Sequence, residues 1–378
     1  MRIAWLSFDF TEYSIPHVNE MAREHEVIAL LPSNQIGSLE RQLSPKVCYR
    51  GFHKPRFRQP LSQVAMIRTI LRELKTFSPD VVHFQQGHLY LNFALPLIRR
   101  YPLVLTIHDP RFHPGDKDSM KTPQWVMDFG FRRADRVIVH GSELPETVHR
   151  VIGFPKEKIH VIPHIAIGLP QDDSATEGLK PTTLDSQRQL RILFFGRIWE
   201  YKGLEYLIRA QPLISNRFPT AKIVIGGRGD DFEKYRAMMA DADRFEVHND
   251  WIDDNQRAQL FSEADIVVLP YIEATQSGVV PIAYAHRKPV IATCVGGLPD
   301  VVAHGKTGLL VEPRNIQQLA SAIIELLDDP QRRKQMGLAG RDKLEQECGP
   351  AVVVQKTLAV YKNAIEDRGR KLCAALSE

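Results

Sequence analysis

The sequence predicts an α/β protein of two doubly wound, parallel-sheet domains, and three observations carry that prediction. Short β-branched runs alternate with amphipathic helical stretches along the whole chain, the pattern of parallel strands joined by crossover helices. The runs fall into two similar sets. A polar stretch without apolar periodicity separates them.

The first set reads RIAWLSF, HEVIALL, DVVHF, LVLTIH, RVIVHG and KIHVIP, and the second RILFFG, KIVIGG, FEVHN, IVVLPY, PVIAT and GLLVEP. Between them, AIGLPQDDSATEGLKPTTLDSQRQ is rich in Pro, Ser, Thr and Asp. It places a linker at residues 169–185, between a first domain at 1–168 and a second at 186–351. The last stretch, residues 352–378, is helical, with Leu358, Val360, Tyr361 and Ala364 on one face. At 378 residues the chain is long enough for two separate cores.

Hydrophobic residues at 43% and charged residues at 25% exclude disordered and fibrous classes. Cys48, Cys294, Cys348 and Cys373 are far apart and form no C-x-x-C pair, which argues against a disulfide framework or zinc site and for a reducing compartment. MRIAWLSF meets Asp9 and Glu12 too soon for a signal peptide, and no apolar run approaches the roughly 20 residues that span a bilayer. A cytoplasmic protein is expected, with no metal, cofactor or nucleic-acid partner. Net charge is +4 but uneven, about +6 up to residue 165 and about −2 beyond. Residues Arg41 to Lys75 hold nine Lys or Arg against Glu73 alone. That segment reads as a solvated loop, or as a surface that meets anionic lipid at the inner membrane face or a phosphorylated acceptor.

In an open parallel sheet, ligands sit beyond the carboxyl ends of the strands. LFFGRIWEYKGLEYLIRA ends a strand at Gly196, follows it with Arg197, and opens a helix at Lys202 and Gly203. Glycines let a diphosphate approach the backbone, and a guanidinium, an ammonium and a helix start can share its charge. The same residues could make a capped helix with solvated cations. Two further glycine pairs, Gly226–Gly227 and Gly296–Gly297, the second with Asp300 close behind, follow later strands of the same domain. Three such turns point to a shared anion and ribose pocket. Asn249, Asp250 and Trp251 suit a base-binding loop or a solvated turn.

These motifs, FFGR…KG, GG, ADIVVLP, PVIAT…GGLPDVV and GKTGLLVEP, resemble the retaining glycosyltransferases of family 4 (glycosyl transferases group 1). So do DVVHF, TIHD, ADRVIVHGS and KIHVIPH in the first half. The resemblance implies the GT-B fold: two Rossmann-like domains facing across a cleft, with the C-terminal helix crossing back to the first. It implies transfer of a sugar from a nucleotide diphosphate sugar to an acceptor, a lipid-linked or polysaccharide precursor among the candidates, with retention and without metal. Arg197 and Lys202 would hold the diphosphate and His108 would lie near the transferred sugar, its ring pinned by Asp109 or by backbone. His83, His88, His140 and His164 read as structural.

The family's paired glutamates, with seven residues between them, fall at Ala274 and Ile282, so both carboxylates are absent in register. Glu273 is one residue away and takes the catalytic candidacy, with Thr275 or Gln276 able to reach the same region. Ser277 and Gly278 could bind phosphate through backbone amides. SFDFTEYS also lacks the glycine pair that usually follows the first strand. These losses leave open a sugar-nucleotide-binding protein without transferase activity, or an epimerase on the same fold.

Overall fold

The computed structural model describes residues 1–111, 122–167, 189–229, 231–275 and 277–377, with side chains through Arg370. The expected linker and Gln276 lie outside the described residues. The described chain forms two compact units: residues 1–111, 122–165 and 347–377 in one, and 166–167 and 189–346 in the other.

The first unit is built on seven parallel strands: β1 (Arg2–Leu6), β2 (Glu26–Pro32), β3 (Cys48–Phe52), β4 (Val81–Gln85), β5 (Leu103–Thr106), β6 (Arg136–Val139) and β7 (Ile159–Val161). Their order is β3-β2-β1-β4-β5-β6-β7. The central strands are buried along nearly their whole length, as helices covering both faces require. Winding runs outward from β1 through β2 to β3, then restarts at β4 in the other direction. The carboxyl ends of β1 and β4 are therefore the switch point where a doubly wound sheet opens a crevice.

β3 and the helix Pro60–Phe77 correct the expectation of a loop between Arg41 and Lys75. CYRGF escaped the strand pattern because it is an edge strand, half exposed, with no continuous apolar run. The helix buries Gln63, Met66, Ile70 and Leu74 and turns Leu61, Val64, Ala65, Arg68, Arg72 and Lys75 to solvent. Leu61 is 85% exposed.

The C-terminal helix, Pro350–Ser377, packs on helix Thr11–Met21 and on β4 and β5, so its residues between 353 and 364 complete the first unit's core. Val353, Thr357, Val360, Tyr361 and Ala364 form its buried face. Two ion pairs fasten its outer end, Arg136 to Asp367 at 2.6 Å and Arg368 to Asp135 at 3.1 Å.

The second unit has six parallel strands, β8 (Arg191–Phe195), β9 (Lys222–Gly226), β10 (Phe245–His248), β11 (Ile266–Leu269), β12 (Val290–Thr293) and β13 (Gly308–Val311). Their order, β10-β9-β8-β11-β12-β13, puts the switch point between β8 and β11. Each corresponds to a run read in the sequence.

Candidate active site

The two loops that leave the β8–β11 switch point are zipped together. The Ile272 amide donates to the Tyr201 carbonyl at 2.8 Å. Gly203 comes so close to the end of β11 that an added Cβ would lie 1.9 Å from the Pro270 carbonyl oxygen, and its φ of +65° independently favours glycine. The helix Leu204–Arg217 starts directly after it. This crossing delivers Lys202 to the crevice, where its ammonium lies 3.9 Å from the Tyr271 ring centroid and 5.1 Å from that of Tyr201. Arg197 lies over Trp199 at 4.2 Å and remains exposed. Cations held on aromatic faces are partly pre-oriented before any anion arrives.

The remaining donor-side candidates surround this point with different engagements. At Gly196 an added Cβ would meet only Val279, at 3.8 Å, and at Gly278 nothing within 4 Å, so both border open space. Gly226 ends β9 and Gly227 follows it. The Gly226 carbonyl accepts from Gly196 and the Gly227 amide donates to His248, so these groups serve the sheet edge. Gly296, at φ +48°, packs against the Ala274 carbonyl, where a Cβ would lie 1.5 Å away, and the Gly297 amide donates to Thr275. The position that lost the family's first glutamate is thus a backbone contact between two strand-end loops. Ser277 is buried; its hydroxyl accepts from the Val279 amide and bonds the Tyr271 hydroxyl, each at 3.2 Å. Glu273 and Asp300 are exposed, and Ile282 sits in helix Val279–Ala285. Asn249 accepts from the Gly229 amide at 2.8 Å, which gives it a loop-bracing role, whereas Trp251 is exposed.

In the first unit, His108 follows β5 and is 1% exposed. Where Asp109 or the backbone is expected to pin the ring, two adjacent glutamines at the end of β4 bond His108. Gln85 Oε1 lies 2.9 Å from His108 Nε2, and Gln86 Oε1 accepts the His108 amide at 2.7 Å while Gln86 Nε2 donates to the Asp109 carbonyl at 3.0 Å. Gln86 does this from a left-handed φ of +62°, a strained geometry for a non-glycine residue. Phe10 stacks on the imidazole at 3.9 Å. Sequence reasoning missed both glutamines. The β4–β5 register that sets Gln85 opposite Thr106 brings them to His108 across the sheet.

Around His108 lie buried His17, His83 and His140 and half-buried His164, with Trp5 and Tyr13 among them. Burial is the main force holding every one of these imidazoles neutral. His17 and His140 are pushed down to about 3 and His164 to about 4, and His83 and His108 lie well below the usual value, with neighbouring imidazoles adding to the effect on His108. His88 is 3% exposed and stacked on Phe8 at 4.1 Å. Burial, then Lys54, pushes it down to about 4. Lys54 itself pairs with Asp9 and donates to the Phe8 carbonyl, so it is engaged inside the fold and does not serve the outer basic face.

Comparison with known proteins agrees with this architecture. Residues 17–165 match the family model described as Glycosyltransferase Family 4, and residues 189–329 match Glycosyl transferases group 1. Among curated proteins, an uncharacterized glycosyltransferase of Methanocaldococcus jannaschii is 26% identical over 306 residues, 77% of each chain. A glycogen synthase of Mycobacterium tuberculosis is 27% identical, covering 79% of this chain and 73% of that one. Among solved structures, sucrose-phosphate synthase from Thermosynechococcus elongatus superposes with a TM-score of 0.72 at 19% identity, covering 99% and 100% of the two chains. Anabaena HepE in complex with UDP gives a TM-score of 0.72 at 19% identity, covering 96% and 100%. With both halves matched by models of this one family and the fold shared with GT-B enzymes, the chain belongs to the family 4, group 1 glycosyltransferases and is an enzyme of that class.

Proposed function

We propose that this enzyme transfers a sugar from a uridine diphosphate donor, held by the second unit, to an acceptor hydroxyl, with retention and without a metal. The observation that carries the proposal is the β8–β11 switch point: Lys202 is fixed over Tyr271, Arg197 is close by in the chain, and Gly196 and Gly278 border open space. As the glycosidic bond breaks, negative charge grows on the diphosphate, and cations already in place stabilise it without reorganisation. The uridine assignment follows HepE, described in complex with UDP and with UDP-glucose. Retention follows the family: the acceptor oxygen enters on the face the diphosphate leaves, and the leaving phosphate takes its proton.

On this proposal Gly296, Gly297 and Asp300 form the ribose side, Glu273 reaches the donor sugar, and the first unit supplies His108 and the acceptor site. The protein works in the cytoplasm, with the outer face of helix Pro60–Phe77 against an anionic membrane where a lipid-linked acceptor resides. Among the described residues no helix is long and apolar enough to cross a membrane. The test is calorimetric titration of the full chain with UDP and GDP, followed by transfer from UDP-sugars with and without chelator. UDP should bind the wild type and bind Arg197→Ala at least tenfold more weakly, and chelator should leave transfer unchanged. Equal UDP affinity in both proteins, or transfer abolished by chelator and restored by Mg²⁺, overturns the proposal.

A further inference from the structure

A continuous chain of buried side chains joins the C-terminal helix to His108. Tyr361 OH bonds His83 Nδ1, His83 Nε2 lies 3.0 Å from Gln85 Nε2, and Gln85 Oε1 lies 2.9 Å from His108 Nε2. Thr106 Oγ1 sits 2.7 Å from His83 Nε2. Every member is at most 1% exposed. Water therefore does not compete for these bonds, and each must satisfy the next. Among the described residues, one polar atom at the end of the chain has no hydrogen-bond partner: His108 Nδ1.

We infer that Gln85, His83 and Tyr361 are positioning residues that hold His108 in a single tautomer, with the proton on Nε2 and the lone pair on Nδ1 directed to a hydroxyl of the reacting sugars. The inference rests on the proposed placement of His108 in transfer. The logic is that of donor and acceptor inventory. An amide oxygen only accepts and an amide nitrogen only donates, whereas an imidazole nitrogen does one or the other. Gln85 Oε1 therefore demands a proton on His108 Nε2, and Gln85 Nε2 demands a lone pair on His83 Nε2. The His83 proton then sits on Nδ1, and Tyr361 accepts it.

Turning the Gln85 amide over would reverse every bond in the row and leave a buried N–H at His108 Nδ1 in place of a lone pair. The two arrangements are thus alternatives for the whole chain, and Tyr361, a hydroxyl that can both donate and accept, is its far terminus. A buried imidazole nitrogen left without a partner is unfavourable, and a substrate hydroxyl would relieve that on binding. Histidine tautomers are commonly fixed through the ring nitrogen that does not face the chemistry, which is the part Gln85 takes here.

The test uses the full chain labelled with ¹⁵N-histidine, in which one- and two-bond proton–nitrogen correlations distinguish the two tautomers. His83 and His108 signals are assigned by their loss in His83→Asn and His108→Asn. In the wild type His108 should show one tautomer, protonated on Nε2. Tyr361→Phe, a conservative change at the remote end, should turn His108 into a tautomer mixture and lower turnover about tenfold while leaving UDP affinity unchanged. Gln85→Glu should keep the proton on His108 Nε2 but move the His83 proton to Nε2. A wild-type His108 protonated on Nδ1 overturns the inference, as does a His108 that keeps a single tautomer in Tyr361→Phe. Should the tautomers shift as expected with transfer unaltered, the relay stands and the placement of His108 in transfer falls.

Discussion

Lys202 and Arg197 illustrate how a charge becomes useful when its geometry is fixed by neighbours. The ammonium rests on a fully buried tyrosine whose own backbone continues the strand that Gly203 abuts. Replacing either cation with alanine should lower turnover by about 10²-fold, the scale of losing one preorganised partner of transition-state charge, with the melting temperature little changed. Steady-state kinetics beside a thermal melt measures both. Glu273 is a different case, an exposed carboxylate one residue out of register with its family position. If it touches the donor sugar, Glu273→Ala lowers transfer and leaves affinity for bare UDP unchanged, because that ligand has no sugar to lose. Wild-type behaviour on both measures would assign the sugar contact to other groups.

At the scale of elements, the second unit was legible from its sequence because local signals suffice there. Most of its strands are short apolar runs, and the glycines of the strand-end loops are dictated by close backbone approaches, as at Gly203 and Gly296. The first unit was less legible for two physical reasons. β3 lies at an edge and is half exposed, so it lacks the apolar run that announces an inner strand. Gln85 and Gln86 owe their function to register with a strand more than 20 positions away, which no local spacing records. The candidate donor-side glycines were visible as a group, but only the structure separates those bordering open space from those that serve the sheet.

The helix that replaced the expected loop sharpens the membrane prediction. Its outer face joins Leu61 and Val64 to Arg68, Arg72 and Lys75, so apolar and cationic side chains meet the same plane. Sedimentation with anionic vesicles should fall steeply between 0.05 and 0.5 M salt, roughly the range over which the screening length shrinks from above 10 Å to below 5 Å. Combined neutralisation of Arg56, Arg58, Arg68 and Arg72 should weaken binding at least tenfold. Lys54→Gln should instead lower stability, since that side chain pairs with Asp9. Equal binding to neutral and anionic vesicles would refute the electrostatic attachment.

For the molecule as a whole, the buried histidines make the first unit sensitive to acid. Their folded pKa values lie below the unfolded value of about 6.5, so the unfolded chain binds more protons as pH falls. Stability is complete above about pH 6.5 and is lost toward the folded values near 4 and 3, by at most about 1.4 kcal/mol per histidine per pH unit. Trp5, 4.8 Å from the His17 ring and 4.3 Å from His83, should report this unfolding by fluorescence between about pH 6 and 4. His17→Phe should make the dependence shallower. A melting temperature flat from pH 7 to 5 would contradict the burial of these rings as neutral groups.

The helix Pro350–Ser377 has a further consequence, which concerns the order in which the protein is made. Chains emerge from the ribosome amino end first, and domains generally fold as units during synthesis. Here the first unit lacks Val353, Val360 and Tyr361 until residues 353–361 appear, after the whole of the second. Its nascent sheet must wait, with part of its apolar surface uncovered, while the whole of the second unit is translated and becomes free to fold. Of these two units, the one begun earlier is completed later, and a ribosome that stops near residue 349 leaves a finished second unit tethered to an unfinished first.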